Sequence, residues 1–155
     1  MTIKYNVLFR ACDKVESVHK VDRPYGLNKT EIIKISFYSI YHAIQSEEYV
    51  FTIIGDNLSN ELLDFFRLFK NISVENSNFG SASQSLQRQI ELALNVANDE
   101  WIYMCEDDYL HSPKAFKYIS EFIGNKEKYL ETSSKKKNYM NRIIGDLSNT
   151  PLIIH

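Results

Sequence analysis

Short apolar runs alternate with stretches of helical period along this chain. "YNVLF" (Tyr5–Phe9), "YVFTIIG" (Tyr49–Gly55), "ISVE" (Ile72–Glu75) and "WIYMC" (Trp101–Cys105) have the length and the β-branched, aromatic character of strands. Between them the apolar positions change period. Ile33, Phe37, Ile40, Tyr41 and Ile44 share one helical face and predict a helix from Thr30, as its cap, to about Ser46. Leu62, Phe66 and Phe69 predict a second helix near Glu61–Phe69. Leu86, Ile90, Ala93, Leu94 and Ala97 predict a third, from about Ser83 to Ala97, with that stripe facing the core. Ser112 followed by Pro113 predicts the start of a fourth, ending at Gly124.

Strands separated by helices imply parallel crossovers and an α/β, mainly parallel sheet in a three-layer αβα sandwich. The continuous apolar run of "WIYMC" fits a strand covered on both faces. The chain reads as one domain over 1–155. Its organised part is 1–124, and a polar, lysine-bearing tail fills 125–155 ("SSKKKN" included). In that tail the pattern offers only a short helix near Tyr139–Ile144 and a last strand at "PLIIH".

Parallel sheets bind ligands beyond the carboxyl ends of their strands. Three segments qualify: Arg10–Asp13, Asp56–Ser59 and Glu106–Asp108, each carrying aspartate. The last is the most acidic, because Glu106, Asp107 and Asp108 follow "WIYMC" without a break. Two carboxylates about 6 Å apart repel by roughly 0.7 kcal/mol in water and about 3 kcal/mol at an effective dielectric near 20. A wet turn tolerates that, whereas a cleft requires a counter-charge. Mg²⁺ or Mn²⁺, bound by one or two carboxylates and by phosphate oxygens, supplies one. Solvated turn, metal–phosphate site and shared-proton acid/base pair are the three readings of the triplet.

Composition narrows the setting. The chain has 155 residues, a net charge of −2 and no basic excess of the kind that marks a nucleic-acid partner. No apolar run approaches a membrane span, and "MTIKYNVLF" is too short and polar for a signal peptide, so the expected location is cytoplasmic. Cys12 and Cys105 form no CxxC and read as small buried hydrophobes in a reducing compartment.

The stretch "CEDDYLHSPKAFKYISEFI" resembles the DXD region of GT-A-fold nucleotide-sugar glycosyltransferases, in the "EDD" form of the N-acetylglucosaminyltransferase I type. "YNVLFRACD", "YVFTIIGDNLSNELLDFF" and "NSNFGSASQSLQRQIELALNVANDEWIYM" line up in order with segments of family-2-like enzymes, so the resemblance covers about residues 3–123. It implies a small or truncated GT-A-like, Rossmann-like domain. It further implies a metal-dependent, inverting hexosyltransferase that takes a sugar from a nucleotide-diphospho-sugar, a UDP-sugar by analogy, to an unknown acceptor.

By the same resemblance Asp108 is the Mn²⁺ or Mg²⁺ ligand, Asp107 binds the ribose and Glu106 orients the donor. Arg10, Asp13 and Asp56 line the nucleotide pocket. Gln87 takes the place of a donor-binding asparagine once one residue is inserted. His155 matches a late C-terminal metal ligand; His111 is placed by its position just past the triplet, close enough to support the site. His19 and His42 carry no role. The catalytic base is unassigned: Glu106 and Asp146 are candidates, and Glu127 and Glu131 are the other acids in the expected region. The rival readings are a nucleotide-sugar-binding domain lacking an acceptor half, a nucleotidyltransferase, and an α/β interaction module whose triplet is a surface turn. "RACDKVES" lacks the Gly-rich loop a nucleotidyltransferase would carry after its first strand.

Overall fold

A computed structural model describes residues 3–14, 23–125 and 128. Four parallel strands form the sheet: β1 (Lys4–Ala11), β2 (Glu48–Asp56), β3 (Ile72–Ser77) and β4 (Trp101–Glu106). Three helices join them, α1 (Lys29–Ala43), α2 (Asn60–Phe66) and α3 (Ala82–Ala93), and α4 (Ala115–Gly124) follows β4. The strand order is β3-β2-β1-β4. The fold is thus a small α/β, Rossmann-like arrangement with an all-parallel sheet. The chain divides into two compact units, one up to Phe116 and one from Lys117 onward. The sheet lies wholly in the first.

Local chemistry sets the elements. Asn28, two residues ahead of Thr30, caps α1. Its side chain accepts from the Glu31 N–H at 2.9 Å, and Glu31 accepts in return from the Asn28 N–H at 2.7 Å. That reciprocal box satisfies two donors that a helix start leaves open. Ser59 and Ser81 cap α2 and α3. Ser112 accepts from the Lys114 N–H, and a turn leads from it into α4 at Ala115.

Alternate side chains of β1 serve opposite layers. Phe9 meets Phe37 of α1 at 6.0 Å between ring centroids, and Phe37 also meets Phe51 of β2 at 5.5 Å and Phe66 of α2 at 4.9 Å. Phe116 packs edge-on against Tyr5 at 5.1 Å, again on that face. Arg10, pointing the other way, reaches the Ala82 carbonyl and the Ser85 hydroxyl of α3. The central strand is therefore covered on both sides, and Val7, Leu8 and Phe9 are all buried.

Two expectations need correction. The stripe of α3 does not face the sheet: Leu86, Ile90 and Leu94 are exposed, Leu94 to 80%, while Ser85 and Gln89 are buried. Gln89 is drawn inward because its amide donates to the carbonyls of Leu8 (2.7 Å) and Cys105 (3.4 Å). Polar groups on the sheet thus determine which face of α3 points inward. Secondly, β4 is covered less completely than its apolar run predicts, since Ile102 and Met104 are exposed and Cys105 is buried. Among the described residues no helix is long and apolar enough to cross a membrane. The short helix and last strand expected in 125–155 fall outside the described residues.

Candidate functional site

The chain places β2 and then β3 on one side of β1, and β4 on the other. The order reverses between β1 and β4, and the crevice at the carboxyl end of such a reversal is where open α/β sheets bind ligands. Arg10 and Glu106 lie opposite each other in register at that point. The loop after β1, the loop after β4 and the first turn of α1 converge there.

Asp107 joins the three. Its carboxylate accepts from the Cys12 N–H at 2.9 Å and from the Lys29 ammonium at 2.6 Å, and the residue is only 8% exposed. Burial pushes its pKa up. Lys29 and the Cys12 N–H pull the other way, and the charge of Asp108 adds to the rise. Glu106, half exposed, pairs with Arg10. Arg10 thereby ties β1 to α3 and to the triplet together. Two of the triplet's three charges are therefore offset within the protein. Asp108 is exposed and has no ion pair among the described residues.

The aspartates of the other two loops hold backbone. Asp56 accepts from the N–H groups of Phe79 (2.9 Å) and Gly80 (3.2 Å), fixing the turn into α3, where Gly80 has φ +70°. Asp13 accepts from the Ser59 N–H at 3.2 Å, at the head of α2. Lys14 reaches the Asn57 side chain at 3.0 Å. Asp13 and Asp56 do lie on the expected edge, with these loop contacts as their observed partners. Gln87 does not reach it: it is exposed and donates to Glu91, one turn along α3. With Ser85 and Gln89 turned inward, the residue midway between them must point outward. His42 is exposed and lies against Tyr38 on α1. His19, Glu127, Glu131, Asp146 and His155 fall outside the described residues.

The loop after Asp108 has no regular structure, yet α1 holds it at two further points. The Ser36 hydroxyl donates to the Tyr109 carbonyl at 2.8 Å, and the His111 N–H donates to the Ser39 hydroxyl at 3.0 Å. The His111 ring meets the Tyr103 hydroxyl at 2.9 Å. Lys29, Ser36, Ser39, Gln89 and Tyr103 hold this end of the sheet and its loops in place, and pattern reasoning gave them no such part. Only Lys29 had a sequence signal, its place directly after a capping asparagine at a helix start that faces the strand ends.

Both cysteines are free, and burial raises both thiols, that of Cys105 far above its usual range. Neither is poised as a thiolate nucleophile or a soft-metal ligand. Among the described residues no three His, Cys, Asp or Glu side chains gather around one point. The donor set therefore does not fit a cation held by protein groups alone. It does fit Mg²⁺ or Mn²⁺ held by one exposed carboxylate, Asp108, with water and phosphate oxygens completing the shell. Among the described residues the loops at this edge carry five carboxylates (Asp13, Asp56, Glu106, Asp107, Asp108) and the cations Arg10, Lys14 and Lys29.

No protein-family model matches the chain, and no curated protein or solved structure matches it significantly.

Proposed function

We propose that this domain binds a nucleotide-diphospho-sugar at the β1/β4 crevice with Mn²⁺ or Mg²⁺, and transfers the sugar to an acceptor as a glycosyltransferase. The observation that carries the reading is Asp108: an exposed carboxylate at the carboxyl end of β4, on the reversal point of a parallel sheet, in an acidic setting. In this reading Asp108 would hold the metal, which would supply charge stabilisation to the departing nucleoside diphosphate. Arg10 and Lys29 keep Glu106 and Asp107 in place, so that Asp108 is the one carboxylate of the triplet without an ion pair among the described residues. Any ribose contact from Asp107 uses the carboxylate lone pairs left over from Lys29 and Cys12. The sequence resemblance supports a UDP-sugar and an inverting displacement, and the acceptor and the catalytic base are open.

A second reading has its own support. Glu106 and Asp107 are both engaged by cations of the protein, which suits a domain that holds a nucleotide-sugar without a complete transferase. Titration of UDP and GDP, with Mn²⁺ and in chelator, addresses both. Metal-dependent binding is expected, with loss of the metal-dependent part in Asp108→Ala. Absence of nucleotide binding under every condition contradicts both readings. Binding together with slow donor hydrolysis, but no transfer to any acceptor in a glycan panel, selects the second.

A further inference from the structure

The segment between β4 and α4 carries Asp108 but owes its shape to side chains remote in sequence. Ser36 and Ser39 lie one turn apart on α1 and grip successive points of it, the Tyr109 carbonyl and the His111 N–H. Ser36 is buried, and its hydroxyl is directed to that one carbonyl. Lys29, on the same helix, grips Asp107. A single helix thus holds the loop on both sides of Asp108.

The Ser39 and Tyr103 contacts favour one tautomer of the histidine. The Ser39 hydroxyl donates its only hydrogen to the Ser36 carbonyl at 2.7 Å, so towards His111 it can only accept. Nδ1 of His111 lies 3.5 Å from that oxygen, at the limit of a hydrogen bond, and in that contact would be the donor. In that tautomer Nε2 is an acceptor for the Tyr103 hydroxyl, 2.9 Å away. Burial raises the Tyr103 phenol to about 12, so it remains a donor at physiological pH. The groups around the ring are Tyr103 from β4, Ser39 from α1 and Phe116 from the start of α4. No carboxylate among the described residues contacts it, and burial disfavours the imidazolium.

We propose that Tyr103, His111, Ser39 and Ser36 form a clasp that positions the Asp108 loop while His111 is neutral and releases it when His111 is protonated. A proton on Nε2 faces the Tyr103 O–H donor to donor. The phenol must turn its hydrogen away from the ring, and His111 is the one hydrogen-bond partner of that hydroxyl among the described residues. Burial alone holds the His111 pKa below its usual 6.5, so the clasp is closed at neutral pH and opens below that value. The loop mechanics are independent of ligand. The consequence, weaker metal and nucleotide binding in acid, rests on the function proposed above.

The test is amide hydrogen exchange of residues 107–112 in the whole chain between pH 5 and 8, corrected for intrinsic rates, with Mn²⁺–UDP affinity measured in parallel. The expected result is a fall in protection of the His111 N–H of about tenfold, the scale of one hydrogen bond, with a midpoint below 6.5. His111→Gln should remove the pH dependence. Tyr103→Phe, which keeps the ring packing, should move the midpoint upward. Flat protection in the wild type, or an unchanged pH profile in His111→Gln, overturns the clasp. Opening of the loop with no accompanying Mn²⁺–UDP binding supports the clasp and overturns the functional reading.

Discussion

Lys29, the first residue of α1, donates to the buried carboxylate of Asp107 at 2.6 Å across 78 positions of sequence. The acidic triplet thus carries a counter-charge of its own, and α1 is anchored to the end of β4. Replacing Lys29 with Met should destabilise the fold at pH 7 by about 1–3 kcal/mol, because a buried carboxylate loses its charged partner. The sign with pH follows from Asp107, whose pKa is raised by burial and rises further without the ammonium. A group with a raised folded pKa contributes stability below its unfolded value and loses it as pH rises through the folded one. The defect should therefore shrink towards acid. Urea unfolding of both proteins at pH 7 and at pH 4 measures this.

Phe37 touches Phe9, Phe51, Phe65, Phe66 and Phe69, and so joins α1, α2 and the sheet. Phe37→Ala should cost about 3–5 kcal/mol. A shift of the urea midpoint by an amount typical of a surface substitution would contradict the packing described.

Gly55 is a close-approach position. A Cβ there would lie 2.5 Å from Leu58 Cδ1 and 2.9 Å from Asn76 Oδ1, the oxygen that accepts from the Leu58 N–H. Gly55→Ala should destabilise by about 1–3 kcal/mol through overpacking. Thermal unfolding checks it, and a neutral result contradicts the tight β2–β3 edge.

Asp56 separates a loop-building role from a ligand-binding one. Asp56→Asn keeps an oxygen for the Phe79 and Gly80 N–H groups, whereas Asp56→Ala leaves both without it. Unfolding in urea should show a loss of about 1–3 kcal/mol for Ala and well under half of that for Asn. Equal losses would point to the charge, not the acceptor, as what matters.

Much of the fold was legible from apolar periodicity. Strands appear at the apolar runs, and Ile33, Phe37, Ile40 and Ile44 are buried on α1 as their spacing predicts. The face of α3 was not legible. Leu86, Ile90 and Leu94 form a regular stripe, but the sheet opposite offers Arg10 and two carbonyls, and those select Ser85 and Gln89. The cap of α1 was present in the sequence as Asn28-Lys-Thr-Glu31, and the neighbouring Thr30 obscured it.

In the candidate site, the triplet and its place at a strand end could be read directly. Its counter-ions could not, because Arg10 and Glu106 are 96 positions apart and meet only through the pairing of β1 with β4. The aspartates after β1 and β2 illustrate a different limit. Composition marks them as acidic loop residues, while only coordinates show that their oxygens already serve the backbone of Ser59, Phe79 and Gly80.

The role proposed for Asp108 is to hold a divalent ion for a nucleotide at the β1/β4 crevice. Paramagnetic broadening of amide resonances by Mn²⁺ with UDP tests it most directly. The account predicts broadening centred on residues 107–110 and extending to 12–14 in the wild type, absent in Asp108→Asn at the same concentrations. Broadening centred elsewhere, or unchanged by the substitution, would contradict it.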